Sequence, residues 1–146
     1  MANRQGIITA LKTQLATITI LNGYNTDLGN NVKEWYIVPA DIDDFPFVEI
    51  RDESSAIDEF MNNSLVNKIL NITITAFNSV SSLAGANARL YILDILKAIS
   101  TDLQLSNNAY QIDEVSCNIE ASQDSEILIA AIVNISVYYQ TNIWSD

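Results

Sequence analysis

Two long segments in which apolar and polar residues alternate constrain the fold more than any other feature of the sequence. In residues 66–77 the two alternating sets are Leu70, Ile72, Ile74, Ala76 and Asn71, Thr73, Thr75. In residues 127–139 the apolar set is Ile129, Ala131, Val133, Ile135, Val137. Because side chains of a strand point alternately to opposite faces, each segment predicts a strand with one buried and one wet face, which is typical of an antiparallel sheet.

Three further segments favour strands by composition. Residues 32–38 are rich in β-branched and aromatic residues and stop at Pro39, and residues 47–51 follow Phe45-Pro46. Residues 110–119 place Val115, Cys117 and Ile119 at alternate positions. Residues 52–64 are polar and acidic and follow no sustained period, so we interpret them as a long loop whose Phe60 and Met61 either tuck back or dock on a partner.

Two segments show the spacing of amphipathic helices. Residues 4–20 carry one apolar stripe (Ile7, Ile8, Leu11, Leu15, Ile18), with Asn3 as N-cap and Asn22-Gly23 as the exit. Residues 83–100 carry a stripe (Ile92, Ile95, Leu96, Ile99) and, nearly opposite, Leu90 and Leu93. A helix with apolar residues on both sides is covered from two directions, so the first helix or a neighbouring subunit must cover the second side.

The elements follow the order α-β-β-β-α-β-β. This grouping predicts an α+β fold in which two helices pack on one face of a mostly antiparallel sheet. With 146 residues and 49% hydrophobic residues, the sequence predicts a single domain over residues 1–146.

The chain has no histidine, which excludes serine and cysteine triads that depend on an imidazole. The acids lack the spacing of a calcium loop, and the sequence has no phosphate-binding glycine motif. We therefore predict no catalytic residue, no metal site and no cofactor. We expect the single cysteine, Cys117, to fill part of the core.

The formal net charge is −11, and the seven Lys and Arg residues are scattered. Phosphate contacts require clustered positive charge, so specific binding of nucleic acid is not expected. Eight acids fall between residues 41 and 59. They form either an ordinary solvated surface or one that repels DNA or meets a basic partner. The N-terminus shows no secretory leader and no segment is apolar enough to span a bilayer, so we expect cytoplasmic synthesis.

Several segments together resemble one protein family from end to end. They are residues 7–12, 14–18, 22–29, 32–35, 45–52, 88–99 and 137–141, with Trp144. The chain resembles the tail terminator, or tail completion, family of long-tailed bacteriophages, whose members look like the minor tail protein that ends the lambda tail.

The resemblance implies a structural virion protein and no enzyme. About six copies would form a ring that stacks on the last ring of tail tube protein, ends tube polymerisation and joins the tail to the head-side connector or another neck protein. The protein would be assembled in the host cytoplasm and lie at the neck end of the tail, and DNA would pass through the ring without specific binding.

Two groups of residues follow as hypothetical sites of such a ring. We expect Asp41, Asp43 and Asp44 to face the channel, where negative charge repels DNA. We expect the acidic segment to order on contact with the tube or the next subunit, through Asp52, Glu53, Asp58, Glu59, Phe60 and Met61.

Two alternatives remain open at this point. Another phage neck protein, either a head-completion or a connector-adaptor component, would also form a ring with an acidic bore. A carboxylate-based hydrolase or a ligand-binding domain would instead require a concave pocket with convergent acids.

Overall fold

The computed structural model of this chain describes residues 2–36, 45–79, 83–123 and 127–146. The main elements are α1 (Arg4–Leu15), β1 (Val32–Glu34), β2 (Phe47–Phe60), β3 (Leu65–Ser79), α2 (Ala84–Ser100), β4 (Gln111–Gln123) and β5 (Ile127–Asn142). Short 3-10 turns at Ile20–Asn22 and Leu28–Asn30 lie between α1 and β1. The predicted order α-β-β-β-α-β-β is confirmed.

The five strands form one sheet in the spatial order β1-β2-β3-β5-β4. β1 runs parallel to β2, and the other neighbouring strands are antiparallel. The two alternating segments of the sequence are β3 and β5, which pair along their length from Leu65↔Asn142 to Ser79↔Leu128. The α+β class and the mostly antiparallel sheet are confirmed.

The core lies between the two helices and one face of this sheet. The sheet contributes buried residues from the predicted alternating sets, such as Ile72 and Ile74 of β3 and Val133 of β5. α1 contributes Ile7, Ile8, Leu11 and Leu15, and α2 contributes Ala88, Ile95, Ala98 and Ile99. Burial of this apolar surface is the main source of the fold's stability.

The start and end of α1 follow from local chemistry. The Asn3 side chain accepts a hydrogen bond from the Gly6 N–H at 2.7 Å, which confirms the predicted N-cap. The helix ends at Leu15 and not at Ile20 as predicted, although Ile18 is still fully buried. Gly23 has φ +85°, the left-handed conformation that the sequence predicted, but it ends the first 3-10 turn and not α1.

The interpretation of residues 52–64 as a long loop is wrong. β2 continues to Phe60, and a short turn then leads to β3 at Leu65, so the segment is one end of a long β-hairpin. The register shifts around Glu53 and Asp58, and each shift inserts an extra residue that reverses the alternation of faces. These bulges explain why the sequence shows no period of two here. The first predicted strand is also shorter, because β1 covers Val32–Glu34.

β4 is an edge strand that the helices cover only in part. A bulge at Val115 leaves this residue without a partner on β5, and its side chain is 61% exposed. Cys117 pairs with Val133 and is partly buried against the core, and Ile119 pairs with Ala131 but is 42% exposed. The predicted common face therefore holds for Cys117 and Ile119 and is interrupted at Val115.

The link between α1 and β1 is held to α2 by a buried carboxylate. Asp94 is fully buried and accepts four hydrogen bonds. Its Oδ1 accepts from the backbone N–H and the side-chain amide of Asn25 at 3.0 and 2.9 Å, and its Oδ2 accepts from the backbone N–H and the hydroxyl of Thr26 at 2.8 and 2.7 Å. A buried charge needs such partners, so Asp94 fixes where the link crosses the helix.

Candidate subunit interface

The end of the β2–β3 hairpin exposes several large apolar side chains. Ile57 is 48% exposed, Phe60 63% and Met61 49%, and Trp144, which follows β5, is 96% exposed. Ile57, Phe60 and Trp144 border a groove of about 290 Å³ that also contains Val66 and Lys68. We call Ile57, Asp58, Glu59, Phe60, Met61 and Trp144 the hairpin surface.

Three acids of β2 face solvent. Glu53, Asp58 and Glu59 are exposed, and none of them forms an ion pair with a described residue. Partial burial raises the pKa of Tyr110, and the charges of Asp58 and Glu59 raise it further. The predicted residues Asp58, Glu59, Phe60 and Met61 therefore lie together at one end of the sheet, where apolar side chains and negative charge face solvent.

Asp52 belongs to a different, partly buried environment. Arg4 Nε donates to Asp52 Oδ2 at 2.5 Å, and Trp35 Nε1 donates to Asp52 Oδ1 at 2.7 Å. Burial lowers the pKa of Arg4, but the hydrogen bond and charge of Asp52 outweigh this effect, so the pKa is raised. Asp52 therefore joins α1 to β2, and its oxygens are occupied within the chain.

The segment after β5 is anchored by a neighbouring polar cluster. The fully buried Tyr139 hydroxyl donates to Asp146 at 2.5 Å, and Lys68 Nζ donates to the carbonyl of Ser145 at 2.6 Å. Burial raises the pKa of Tyr139, and Asp146 raises it further. These contacts hold Trp144 in place beside the hairpin although its own side chain faces solvent.

A second exposed surface with apolar residues lies on α2. Leu83 is 64% exposed and Leu93 56% exposed, and the exposed Ala86, Arg89 and Lys97 lie on the same stripe at helical spacing. We call Leu83, Ala86, Arg89, Leu93 and Lys97 the helix surface. The sequence predicted that a second side of this helix requires a cover, and α1 leaves this stripe exposed.

Charge is unevenly distributed between the helices and the rest of the chain. α1 carries Arg4 and Lys12 and no acid, and α2 carries Arg89 and Lys97, with the buried Asp94 as its acid. Four of the seven basic residues thus lie on the helices, while nearly all of the eighteen acids lie elsewhere. Arg89 forms no ion pair with a described residue. The helix surface is therefore basic on a strongly acidic protein.

The face of the sheet opposite the helices carries uncharged polar pairs that cross the strands. Asn71 donates to Ser54 of β2 at 3.1 Å and accepts from Ser136 of β5 at 3.0 Å. In the next row Asn134 accepts from Thr73 at 2.9 Å and donates to Ser116 of β4, also at 2.9 Å. These hydrogen bonds join β2, β3, β5 and β4 through neutral side chains, and the charged Arg51 and Asp113 lie opposite Thr73 and Ser136 in the same rows.

Three observations bear on catalytic and metal sites. A hollow of about 530 Å³ is lined by side-chain amides, two alanines and Tyr110, and no carboxylate lines it. Within the described ranges no group of three or more His, Cys, Asp or Glu residues is placed to hold a metal ion. Burial raises the pKa of the Cys117 thiol, and its hydrogen bond to Glu114 raises it further, so the thiol is held in its neutral form.

None of the described helices has the length and apolar character needed to span a membrane.

The predicted site residues are therefore only partly brought together. Asp58, Glu59, Phe60 and Met61 share one surface, Glu53 lies closer to the middle of β2, and Asp52 is partly buried and paired with Arg4. Asp41, Asp43 and Asp44 lie outside the described residues. The exposure of Trp144 and of Arg89 was not predicted from the sequence, although the apolar Leu93 on the far side of α2 was a usable signal.

A scan against protein-family models and a search of curated proteins found no match to this chain.

Proposed function

We propose that this protein is a phage tail terminator. About six copies form a ring that caps the tail tube, ends its polymerisation and joins the tail to the head-side connector. The observation that carries the proposal is the large apolar surface left outside the core on the hairpin surface and the helix surface. Monomeric proteins rarely expose large contiguous apolar patches, and such patches often mark contacts between proteins. The family resemblance supports the specific assembly.

The charge of the chain supports a role around DNA without attachment to it. With a net charge of −11, the protein repels phosphates, so DNA can move through the ring without successive binding and release. Asp41, Asp43 and Asp44 are proposed to face this channel. Replacing all three with Asn should leave assembly intact and slow genome ejection, measured by dye release from phage triggered in vitro. Unchanged ejection would contradict the placement.

The decisive experiment measures tail length by electron microscopy. Phage lacking this protein should make over-long tails, and purified protein added to growing tubes should restrict their length. If the protein is instead a head-side stopper, its loss leaves tails of normal length and heads that leak DNA. A protein that stays monomeric at high concentration and does not bind tube ends would refute the proposed function.

A further inference from the structure

We infer that the hairpin surface of one copy docks on the helix surface of the next copy. This inference rests on the proposed ring and specifies the contact that builds it. The exposed side of α2 would then be covered by the hairpin surface of a neighbouring subunit.

The two surfaces have opposite charge. The hairpin surface presents Asp58 and Glu59, which form no ion pair with a described residue. The helix surface presents Arg89 and Lys97 and no exposed acid. On a chain with a net charge of −11, most pairs of surfaces repel each other, so a basic surface is the favoured partner for an acidic one.

The two surfaces also match in apolar character. Ile57, Phe60 and Met61 lie beside the acids of the hairpin, and Leu83 and Leu93 lie beside the bases of α2. An interface typically has an apolar centre with charged groups at its rim, and the side chains of both surfaces can provide that arrangement. Burying these side chains would supply affinity, while the charges would set the orientation.

The two surfaces lie apart within one chain. The hairpin surface lies at the Leu65 end of β3, whereas α2 begins after the Ser79 end, and Tyr91 of α2 bonds Asn78 there at 2.8 Å. β3 is roughly 45 Å long at the rise of a β-strand, whereas α2 is only about 25 Å long, so α2 does not reach back to the hairpin end of the sheet. A contact between different surfaces of successive copies is head-to-tail, and such contacts close into rings when the rotation between copies permits.

Charge reversal on each surface tests the pairing. The helix variant is Arg89→Glu with Lys97→Glu, and the hairpin variant is Asp58→Lys with Glu59→Lys. Each should weaken self-association about tenfold or more, measured by sedimentation velocity over a concentration series, and a mixture of the two should associate with each other. The matched control is Glu114→Lys with Glu120→Lys, which makes the same charge change on exposed positions of β4 and should associate no more weakly than the wild type.

Lys97 Nζ also donates to the Gly23 carbonyl at 2.8 Å, so the helix variant could lose stability. Leu93→Ser, a change at an exposed side chain, provides a second test on the same surface and should weaken association without lowering the melting temperature. If both helix-surface variants associate like the wild type, the inference is overturned. Failure of the two reversed variants to associate with each other, when each alone is weakened, also overturns the pairing.

Tube capping separates this inference from the proposed function. If the wild type and both reversed variants limit tube length and form the same oligomer, the function stands and the docking contact is wrong. If the wild type neither self-associates nor acts on tubes, both fail. Loss of association and of capping in each variant, with recovery of both in the mixture, supports the two together.

Discussion

Removal of the Asp94 carboxylate should destabilise the protein more than removal of any exposed acid. In Asp94→Ala, four donors lose their acceptor: two backbone N–H groups, one amide and one hydroxyl. Hydrogen bonds to charged groups contribute about 1.5–3 kcal/mol each. Water can reach the exposed Asn25 and replace part of the hydrogen bonding that its donors lose. We therefore expect the free energy of unfolding to fall by about 3 kcal/mol, which corresponds to a melting temperature about 10 °C lower.

Asp94→Asn tests the reasoning more sharply because it keeps the shape of the side chain. In one orientation the new NH2 group faces the backbone N–H of Thr26, and in the other it faces the backbone N–H of Asn25. In either orientation the NH2 group of the new side chain faces two groups that are themselves donors. The hydroxyl of Thr26 can turn and accept a hydrogen bond, but a backbone N–H cannot. The expected loss is about 1–2 kcal/mol, less than for Ala.

The assay is urea unfolding followed by circular dichroism, with the change in free energy taken from midpoints at an unchanged m-value. Glu120→Ala serves as control, because it removes one negative charge from an exposed position and should change stability by less than about 0.5 kcal/mol. If Asp94→Ala is as stable as Glu120→Ala, the carboxylate does not hold the link and the reasoning is refuted.

Two further predictions concern backbone contact and pH. A Cβ at Gly29 would lie 2.6 Å from the Leu15 carbonyl oxygen, so Gly29→Ala should lower the free energy of unfolding by about 2 kcal/mol. Gly85→Ala, whose Cβ would meet nothing closer than 3.8 Å, should raise it by up to about 1 kcal/mol in the same urea assay. Burial raises the pKa of Asp146, but the hydrogen bond from Tyr139 and nearby positive charges outweigh it, so the pKa is lowered. Its stabilising contribution is thus present above the ordinary aspartate pKa and lost as pH falls through the lowered value, and Asp146→Asn should approach the wild type in stability at a pH well below the ordinary aspartate pKa.

Each of these two predictions has a result that would contradict it. Equal effects of the two glycine substitutions would show that the close approach at Gly29 is relieved at no cost. A stability difference between Asp146→Asn and the wild type that persists unchanged into strong acid would mean that the carboxylate charge does not contribute.

The sequence predicted the elements whose period is regular. β3 and β5 alternate without interruption, and their pairing follows from burial of one face. β2 beyond Arg51 could not be recognised, because the bulges at Glu53 and Asp58 reverse its alternation and its residues are polar on both faces. The sequence predicted too long a first helix, because Ile18 continues the apolar stripe and is buried although it lies after the end of α1.

The candidate interface was predictable only in part. Phe60 and Met61 are conspicuous among polar neighbours, and Leu93 signalled a second apolar side of α2. The basic character of that side is a property of the fold, since it depends on Asp94 being buried and Arg89 being exposed. A linear sequence of charges does not reveal which of them reach the surface.

The free edge of β4 has a consequence for solubility. An unpaired strand edge can template the addition of a foreign strand, which is the first step towards fibrils. Here the bulge at Val115 breaks the regular spacing of the edge, and the exposed Glu114 and Glu120 place negative charge along it. These features act as gatekeepers that oppose the pairing of a foreign strand with this edge.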